Sequence, residues 1–312
     1  MDIALARQLG SFLGCDVTGL APVFTHDTRR QIFYVRAGHA RYLAKIAREP
    51  AHAERLRNEA CVLHRLHQQG SRLHCPVMQI VKDDGCELVT LQTYLEGTPL
   101  VELQKDVLPV QPWRVAICDV LDALAAIPVP PQEDAQPERA FRHLMAQLQA
   151  DAFVVKRLGV LSAADIAHVS SFVTRGLTAL AHRPPPVRFV HGDLSPMNLL
   201  VQETIDGIKL SVIDFEYSHW GFPHENLTKL LWLFRRQPRL DAAFFATGED
   251  DGWVDELNVY FVLDILHHFA QADRLSVHPV WRAYLREEAA ILQELDDAVA
   301  GKPLWQRKGD WA

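Results

Sequence analysis

The sequence predicts an α+β fold, with a small strand-rich first third that holds one helix and a larger, mainly helical remainder. Three observations carry this. Short apolar runs bounded by Gly, Asp and Pro crowd the first ninety-odd residues, as strands require. From about Thr98 onward apolar residues recur at helical spacing over long stretches. Between the two patterns lies YLEGTPL, whose Gly97 and Pro99 mark a hinge. The predicted division is therefore 1–95, an N-terminal lobe, and 96–312, a C-terminal lobe.

In chain order, LAPVF, QIFYVRAG, ARYLAKIA, PVMQIVKD and CELVTLQTY read as strands that form an antiparallel sheet. One helix interrupts them over 51–70, where Leu56, Ala60, Leu63 and His67 form one stripe and Gly70 supplies the stop. Helices follow near 111–126, 138–157, 162–182, 224–236, 253–273 and 278–299. Only 188–191, 198–202 and 208–213 look extended in this part, and 127–138 is the clearest loop.

At 312 residues, 48% hydrophobic and 23% charged, the chain has enough apolar surface for a large core. A net charge of -7 without any basic tract offers nothing to neutralise a phosphate backbone, so a nucleic-acid partner is not expected. A cationic or neutral small partner fits better. Five scattered cysteines without a C-x-x-C pair indicate neither a disulfide framework nor a zinc site. With no apolar stretch of about 20 residues and no signal-like start, a membrane partner is not expected either, and the expected location is cytoplasmic.

Several polar residues sit where a core residue belongs. Glu59 falls on the apolar stripe of the 51–70 helix, between Leu63 and Leu66, whereas Glu54 points the other way. Lys45 lies inside the ARYLAKIA strand with Leu43 and Ala47 on its face. Burying either charge alone costs several kcal/mol, about what pairing them avoids; a snorkelling lysine and a helix-edge glutamate are the plainer alternative. Further on, the strand ending in FVHGDLSPMN presents Asp193 and Asn198, and LSVIDFEY is an apolar strand that stops at Asp214. Each of these residues alone suits a turn or a cap. Together they make an oxygen-rich trio of the kind that Mg2+ takes beside substrate phosphates.

H-G-D-x-x-x-x-N followed by I-D-F-E, with a strand lysine and a helix glutamate upstream, resembles the aminoglycoside phosphotransferase and choline kinase families, small-molecule relatives of the protein kinases. The resemblance spans about residue 20 to at least 236 and implies a protein-kinase-like bilobal fold. It implies transfer of the γ-phosphoryl group of ATP, with GTP a possible donor, to a hydroxyl of a small molecule such as an aminoglycoside-like, aminoalcohol or sugar-like acceptor. By that resemblance Asp193 is the catalytic base, and Asn198 and Asp214 hold Mg2+. Lys45 grips the phosphates with Glu59 fixing it, and Gln92, Thr93 and Tyr94 offer backbone groups to adenine. His191 is a scaffolding residue of the loop.

The chain departs from the protein kinases in several places. The stretch over the phosphates, VFTHDTRRQIFYV (23–35), has no glycine, which leaves Thr25, Thr28, Arg29 and Arg30 as candidate side-chain donors. Gly192 stands where the kinases place arginine, and Glu216 replaces the glycine after Asp-Phe; no A-P-E segment follows, so a protein substrate is not expected. Asn226 occupies the position of a helix aspartate that commonly supports the loop, with Glu225 beside it as a possible substitute. A non-catalytic nucleotide-binding regulator of the same fold is the alternative reading, favoured by the missing glycine loop.

For the acceptor, Glu216 together with Glu249, Asp250, Asp251, Trp253 and Asp255 forms a candidate set able to meet a cationic amine through carboxylates and an aromatic face. Acids ahead of a helix also serve as caps, which is the alternative for 249–255. Trp220 and Trp232 are candidates for an aromatic cage or for the core. Asp264 and His268, one helical turn apart, are a candidate metal pair without an evident third ligand.

Overall fold

The computed structural model describes residues 3–23, 30–103, 110–129, 136–205, 207–236, 252–272, 279–293, 295 and 304. Its first part is built on a five-stranded antiparallel sheet of order β1-β2-β3-β5-β4. The strands are β1 (Val17–Val23), β2 (Arg30–Ala37), β3 (Ala40–Ala47), β4 (Met78–Asp83) and β5 (Leu88–Thr93). Because side chains alternate along a strand, the sheet has two apolar faces. One carries Val35, Ala44, Ile46, Val89 and Leu91 and packs against Leu5 and Leu9 of α1 (Ile3–Leu13). The other carries Ala47 and Leu88 and packs against α2 (Pro50–Gln68). Lys45, one residue out of phase with Ala44 and Ile46, is thereby turned toward α2.

Helix α1 was not anticipated in a region read as strands. Leu5 and Leu9, one turn apart, are the two buried residues of this eleven-residue segment, while Ile3 and Phe12 stay exposed, so the stripe that packs is short. On α2 the buried stripe runs Leu56, Ala60, Leu63 and Leu66. His67, expected on that stripe, is exposed, and its ring reaches the carbonyl of Pro76 at 2.9 Å.

The chain leaves the sheet through Tyr94–Gly97 into the short strand β6 (Thr98–Pro99), which pairs with β8 (Leu199–Thr204). Gly97 has φ +142, and a Cβ there would lie 2.9 Å from the carbonyl oxygen of Val201, so only glycine admits this approach. Helices α3 (Val110–Ala125), α4 (Pro137–Leu158), α5 (Ala163–His182), α6 (Glu225–Arg236), α7 (Gly252–Ala270) and α8 (Pro279–Gln293) make up most of the second part. The largest hydrophobic cluster fills their interior with Trp113, Leu144, Val173, Phe261 and Leu266 and continues into Leu56 and Leu63 of α2. Helix α7 has residues buried on every side, from Leu257 to Phe269, and so acts as the central post.

Two small antiparallel pairings place the loops that matter. Strand β7 (Arg188–Val190) pairs with β10 (His219–Gly221), and β8 pairs with β9 (Gly207–Val212). Strands β6 and β10, two and three residues long, are too short to show a period. In the β8–β9 hairpin Leu199 faces Val212, and the Ile213 amide donates to the Asn198 carbonyl at 3.0 Å. Asn198 and Asp214 are therefore neighbours at one end of the hairpin.

Candidate active site

Lys45 is 6% exposed and Glu59 fully buried. The lysine Nζ donates to both Glu59 carboxylate oxygens, at 2.9 and 2.8 Å, and to Asp214 Oδ1 at 3.0 Å. Burial alone would lower its pKa, but Asp214, Glu59 and Glu216 more than reverse that and hold it above its ordinary value, so the ammonium stays charged. A strand lysine, a helix glutamate and an aspartate 169 positions from the lysine thus meet at one atom. Asp214 adopts φ +67, the left-handed region where non-glycine residues are uncommon. The surrounding contacts are what keep it there.

Glu216, expected among the substrate residues, is 4% exposed with Oε1 3.6 Å from Lys45 Nζ, a third carboxylate around the lysine. Carboxylate oxygens of Glu59, Asp214 and Glu216 lie within 4.8 Å of one another.

The loop after β7 carries Asp193. Asn198 spends its amide hydrogens on this residue, donating Nδ2 to the Asp193 carbonyl at 2.9 Å and to Oδ2 at 3.0 Å. Its Oδ1 is then the atom it presents elsewhere. Burial raises the Asp193 pKa, opposed by the charge of Lys229 and reinforced by those of Asp214 and Asp264. His191 is fully buried, and burial pushes its pKa down to about 4. As a neutral ring it donates Nε2–H to the Ile213 carbonyl at 3.1 Å and accepts the Asp193 amide at Nδ1, 3.3 Å. Asn226, 4% exposed on the first turn of α6, accepts the His191 amide at 2.9 Å and donates to the Phe189 carbonyl at 3.0 Å. An amide supplies both a donor and an acceptor to this backbone, which a carboxylate cannot do. Glu225 is engaged elsewhere, accepting from the Phe222 amide at 2.6 Å and facing His219 at 3.2 Å.

Glycine at 192 follows from sterics. Its φ is +80, and a Cβ would fall 2.2 Å from the carbonyl oxygen of Tyr217, leaving no room for the arginine that protein kinases carry.

At the end of β5, Gln92 is 3% exposed, and the amides of Thr93 and Tyr94 already donate to Val77 and Arg41 carbonyls at 2.9 and 3.0 Å. Those two N–H groups are therefore already spent within the fold. Asp255 is exposed in the first turn of α7, whereas its neighbour Glu256 is buried and sits 2.9 Å from His224. Glu249, Asp250, Asp251 and the side chain of Trp253 lie outside the described residues, as do Thr25, Thr28, Arg29 and the side chain of Arg30.

Trp232 is a core residue packed on Phe261 at 4.9 Å, and Trp220 meets Phe189 edge-on at 5.6 Å; the two do not share a cage. Asp264 pairs with Lys229 of α6, and His268 Nδ1 lies 2.5 Å from Glu288 of α8, so these two residues belong to an ion-pair ladder. Although burial opposes it, the charges of Lys229 and His268 hold Asp264 down at about pKa 2. Sequence reasoning missed Lys229 and Asn58. Lys229 lies three residues after Asn226, on the same side of α6, which is the signal that was available.

The donor set fits a hard divalent cation. Asn198 Oδ1 and the Asp214 carboxylate, brought to one end of the hairpin, are the amide and carboxylate oxygens that Mg2+ accepts alongside waters and phosphates.

A family model described as the phosphotransferase enzyme family matches residues 21–257. No curated protein gives a significant match. Among solved structures, a thermostable mutant of aminoglycoside phosphotransferase APH(4)-Ia in its apo form is similar, with TM-score 0.67 and 16% identity over 94% of this chain and all of that one. A ternary complex of that enzyme with AMP-PNP and hygromycin B gives 0.69 and 16% over 95% of this chain and 100% of the other. The GDP and kanamycin complex of APH(2")-IIia gives 0.67 and 18%, covering 94% and 98%. At such identities the structures share a kinase-like fold, and with more than half its length matched by the family model, the chain belongs to the phosphotransferase enzyme family.

Proposed function

We propose that the protein is a Mg2+-dependent small-molecule kinase that moves the γ-phosphoryl group of ATP, or of GTP, to a hydroxyl of a cationic, hydroxyl-bearing acceptor. Residues 1–95 form its nucleotide-binding lobe and 96–312 its catalytic and acceptor-binding lobe. The observation that carries this reading is the convergence of Lys45 on Glu59 and Asp214, beside a loop in which Asn198 holds Asp193. Structural neighbours captured with AMP-PNP and with GDP support nucleotide as donor, and their complexes with hygromycin B and kanamycin support a cationic acceptor. Five free thiols suit a reducing compartment, and we place the enzyme in the cytoplasm.

In this mechanism Asp193 accepts a hydrogen bond from the acceptor hydroxyl and takes its proton as the oxygen attacks phosphorus. The new O–P bond forms while the bond from phosphorus to the ADP oxygen breaks, and that oxygen leaves with the bonding electron pair, so negative charge develops on the departing diphosphate. Lys45 neutralises the α and β phosphates and Glu59 keeps it aimed at them. Asn198 and Asp214 would hold Mg2+, which supplies charge neutralisation on the triphosphate. Asn226 and His191 fix the backbone of the loop that aims Asp193. The raised pKa of Asp193 suits a base that must hold a proton briefly.

The test is ATP consumption with Mg2+ over a panel of aminoglycosides, aminoalcohols and sugars. Wild-type protein is expected to turn over with at least one aminated acceptor. Asp193→Asn is expected to lose about 10³-fold of that rate, the range of general-base catalysis, while binding nucleotide normally. Wild-type turnover in the variant would remove Asp193 from this role.

A further inference from the structure

Arg55, Asn58 and Glu59 lie three and four residues apart on one face of α2. Glu59 holds Lys45, but its two neighbours hold something else. The Asn58 side-chain amide donates to the carbonyls of both Glu216 and Ser218, at 3.2 and 3.1 Å. Between those residues stands Tyr217, whose hydroxyl accepts from Arg55 Nη1 at 2.8 Å and whose ring lies 4.8 Å beneath the same guanidinium. The opposite side of this segment touches the catalytic loop. Ser218 Oγ donates to the His191 carbonyl at 3.2 Å, and the Tyr217 carbonyl occupies the space a Cβ at Gly192 would need.

The 214–218 segment is thus held from two sides, by the helix that carries Glu59 and by the loop that carries Asp193. It begins with Asp214 at φ +67, a conformation that persists only if its surroundings enforce it. Arg55 makes its contacts at the surface, where water competes. Asn58 is partly buried and gives both hydrogens of one amide to two carbonyls two residues apart, which fixes the turn between them.

We propose that Asn58 is a positioning residue for phosphoryl transfer: by fastening the 216–218 backbone to α2 it makes Glu59 and Asp214 parts of one rigid body, with a set spacing between the lysine grip and the metal-holding carboxylate. This rests on the phosphotransferase reading above. Losing Asn58 would take a donor from both the Glu216 and the Ser218 carbonyls and loosen the segment that begins at Asp214. Lys45 and Glu59, bonded to each other directly, would stay together.

The experiment measures binding of a fluorescent ATP analogue to the full chain in EDTA and again in saturating Mg2+, with hydrogen exchange followed at residues 215–218. Asn58→Ala is expected to match wild type within about twofold in EDTA, to lose about tenfold of the affinity gained on adding Mg2+, and to exchange faster at 215–218. Asn58→Asp keeps the side-chain volume but turns acceptors on the two carbonyls; it reports even if the alanine variant does not fold, and is expected to lose more. A Mg2+ gain unchanged in the folded variants overturns the proposal, as does a loss that is equal with and without Mg2+, which would mark a merely structural role. A wild-type protein that shows no Mg2+ gain sinks the phosphotransferase reading itself, whereas a gain present in wild type and preserved in the variants sinks only the role of Asn58.

Discussion

At the residue scale, His191 shows how a titratable group is made into scaffold. Its ring is buried with one partner for each nitrogen, and its pKa is pushed down to about 4 by that burial, which the Asp214 charge only partly offsets. The unfolded chain titrates near 6.5. Between about pH 6.5 and pH 4 the unfolded state therefore binds a proton that the folded state refuses. Stability from this group is complete above 6.5 and falls as the pH drops through the window, by about 3 kcal/mol in all. Urea denaturation at pH 7 and pH 4.5 checks this. His191→Gln, which cannot titrate, is expected to be less stable at pH 7 but to lose less on acidification than wild type. Equal acid losses in the two proteins would mean the ring is not neutral in the folded state.

The α6–α7–α8 ladder belongs to the scale of elements. Lys229 pairs with Asp264, His268 stands between Asp264 and Glu288, and Arg235 Nε donates to Glu287 at 2.6 Å. These links cross a largely apolar core, and a buried pair is worth little until one partner is removed. Lys229→Met is expected to cost about 3–5 kcal/mol because it strands Asp264, whereas Lys229→Met with Asp264→Leu should recover most of that loss. Thermal or urea unfolding of the single and double variants reads the difference. A double variant as unstable as the single one would show that packing, not the stranded charge, sets the cost. Legibility differed among these elements. The long helices were visible because apolar residues repeat at 3.6 over several turns, whereas α1 buries only Leu5 and Leu9 and β6 and β10 have two and three residues. Too few positions repeat there for a period to emerge.

At the scale of the whole molecule, nucleotide and metal should act as one ligand for the folded state, since Lys45 and Asp214, two of the groups proposed to hold them, lie 169 positions apart in the chain. ATP with Mg2+ at about 100 times Kd adds about 2.7 kcal/mol to stability, and ATP in EDTA is expected to add less. Asp214→Asn should erase the Mg2+ increment in a thermal-shift measurement, while Asp193→Asn keeps it. An increment that survives Asp214→Asn would move the metal site elsewhere.

Much of the candidate site was legible locally. A lysine one step out of phase on a strand, a glutamate on an apolar stripe and an aspartate at an abrupt strand end are each defined by backbone periods of two and 3.6, which act over a few residues. Which group neutralises which was decided only by the tertiary structure. Glu216 reads as an acceptor contact and turns inward to Lys45; Asp264 and His268, in sequence a candidate pair without a third metal ligand, serve Lys229 and Glu288; Asn58 carries no signal until the 216–218 carbonyls are in place. The physical reason is that a desolvated charge or carbonyl needs a partner within about 4 Å, and the chain can bring that partner from any distance along its length.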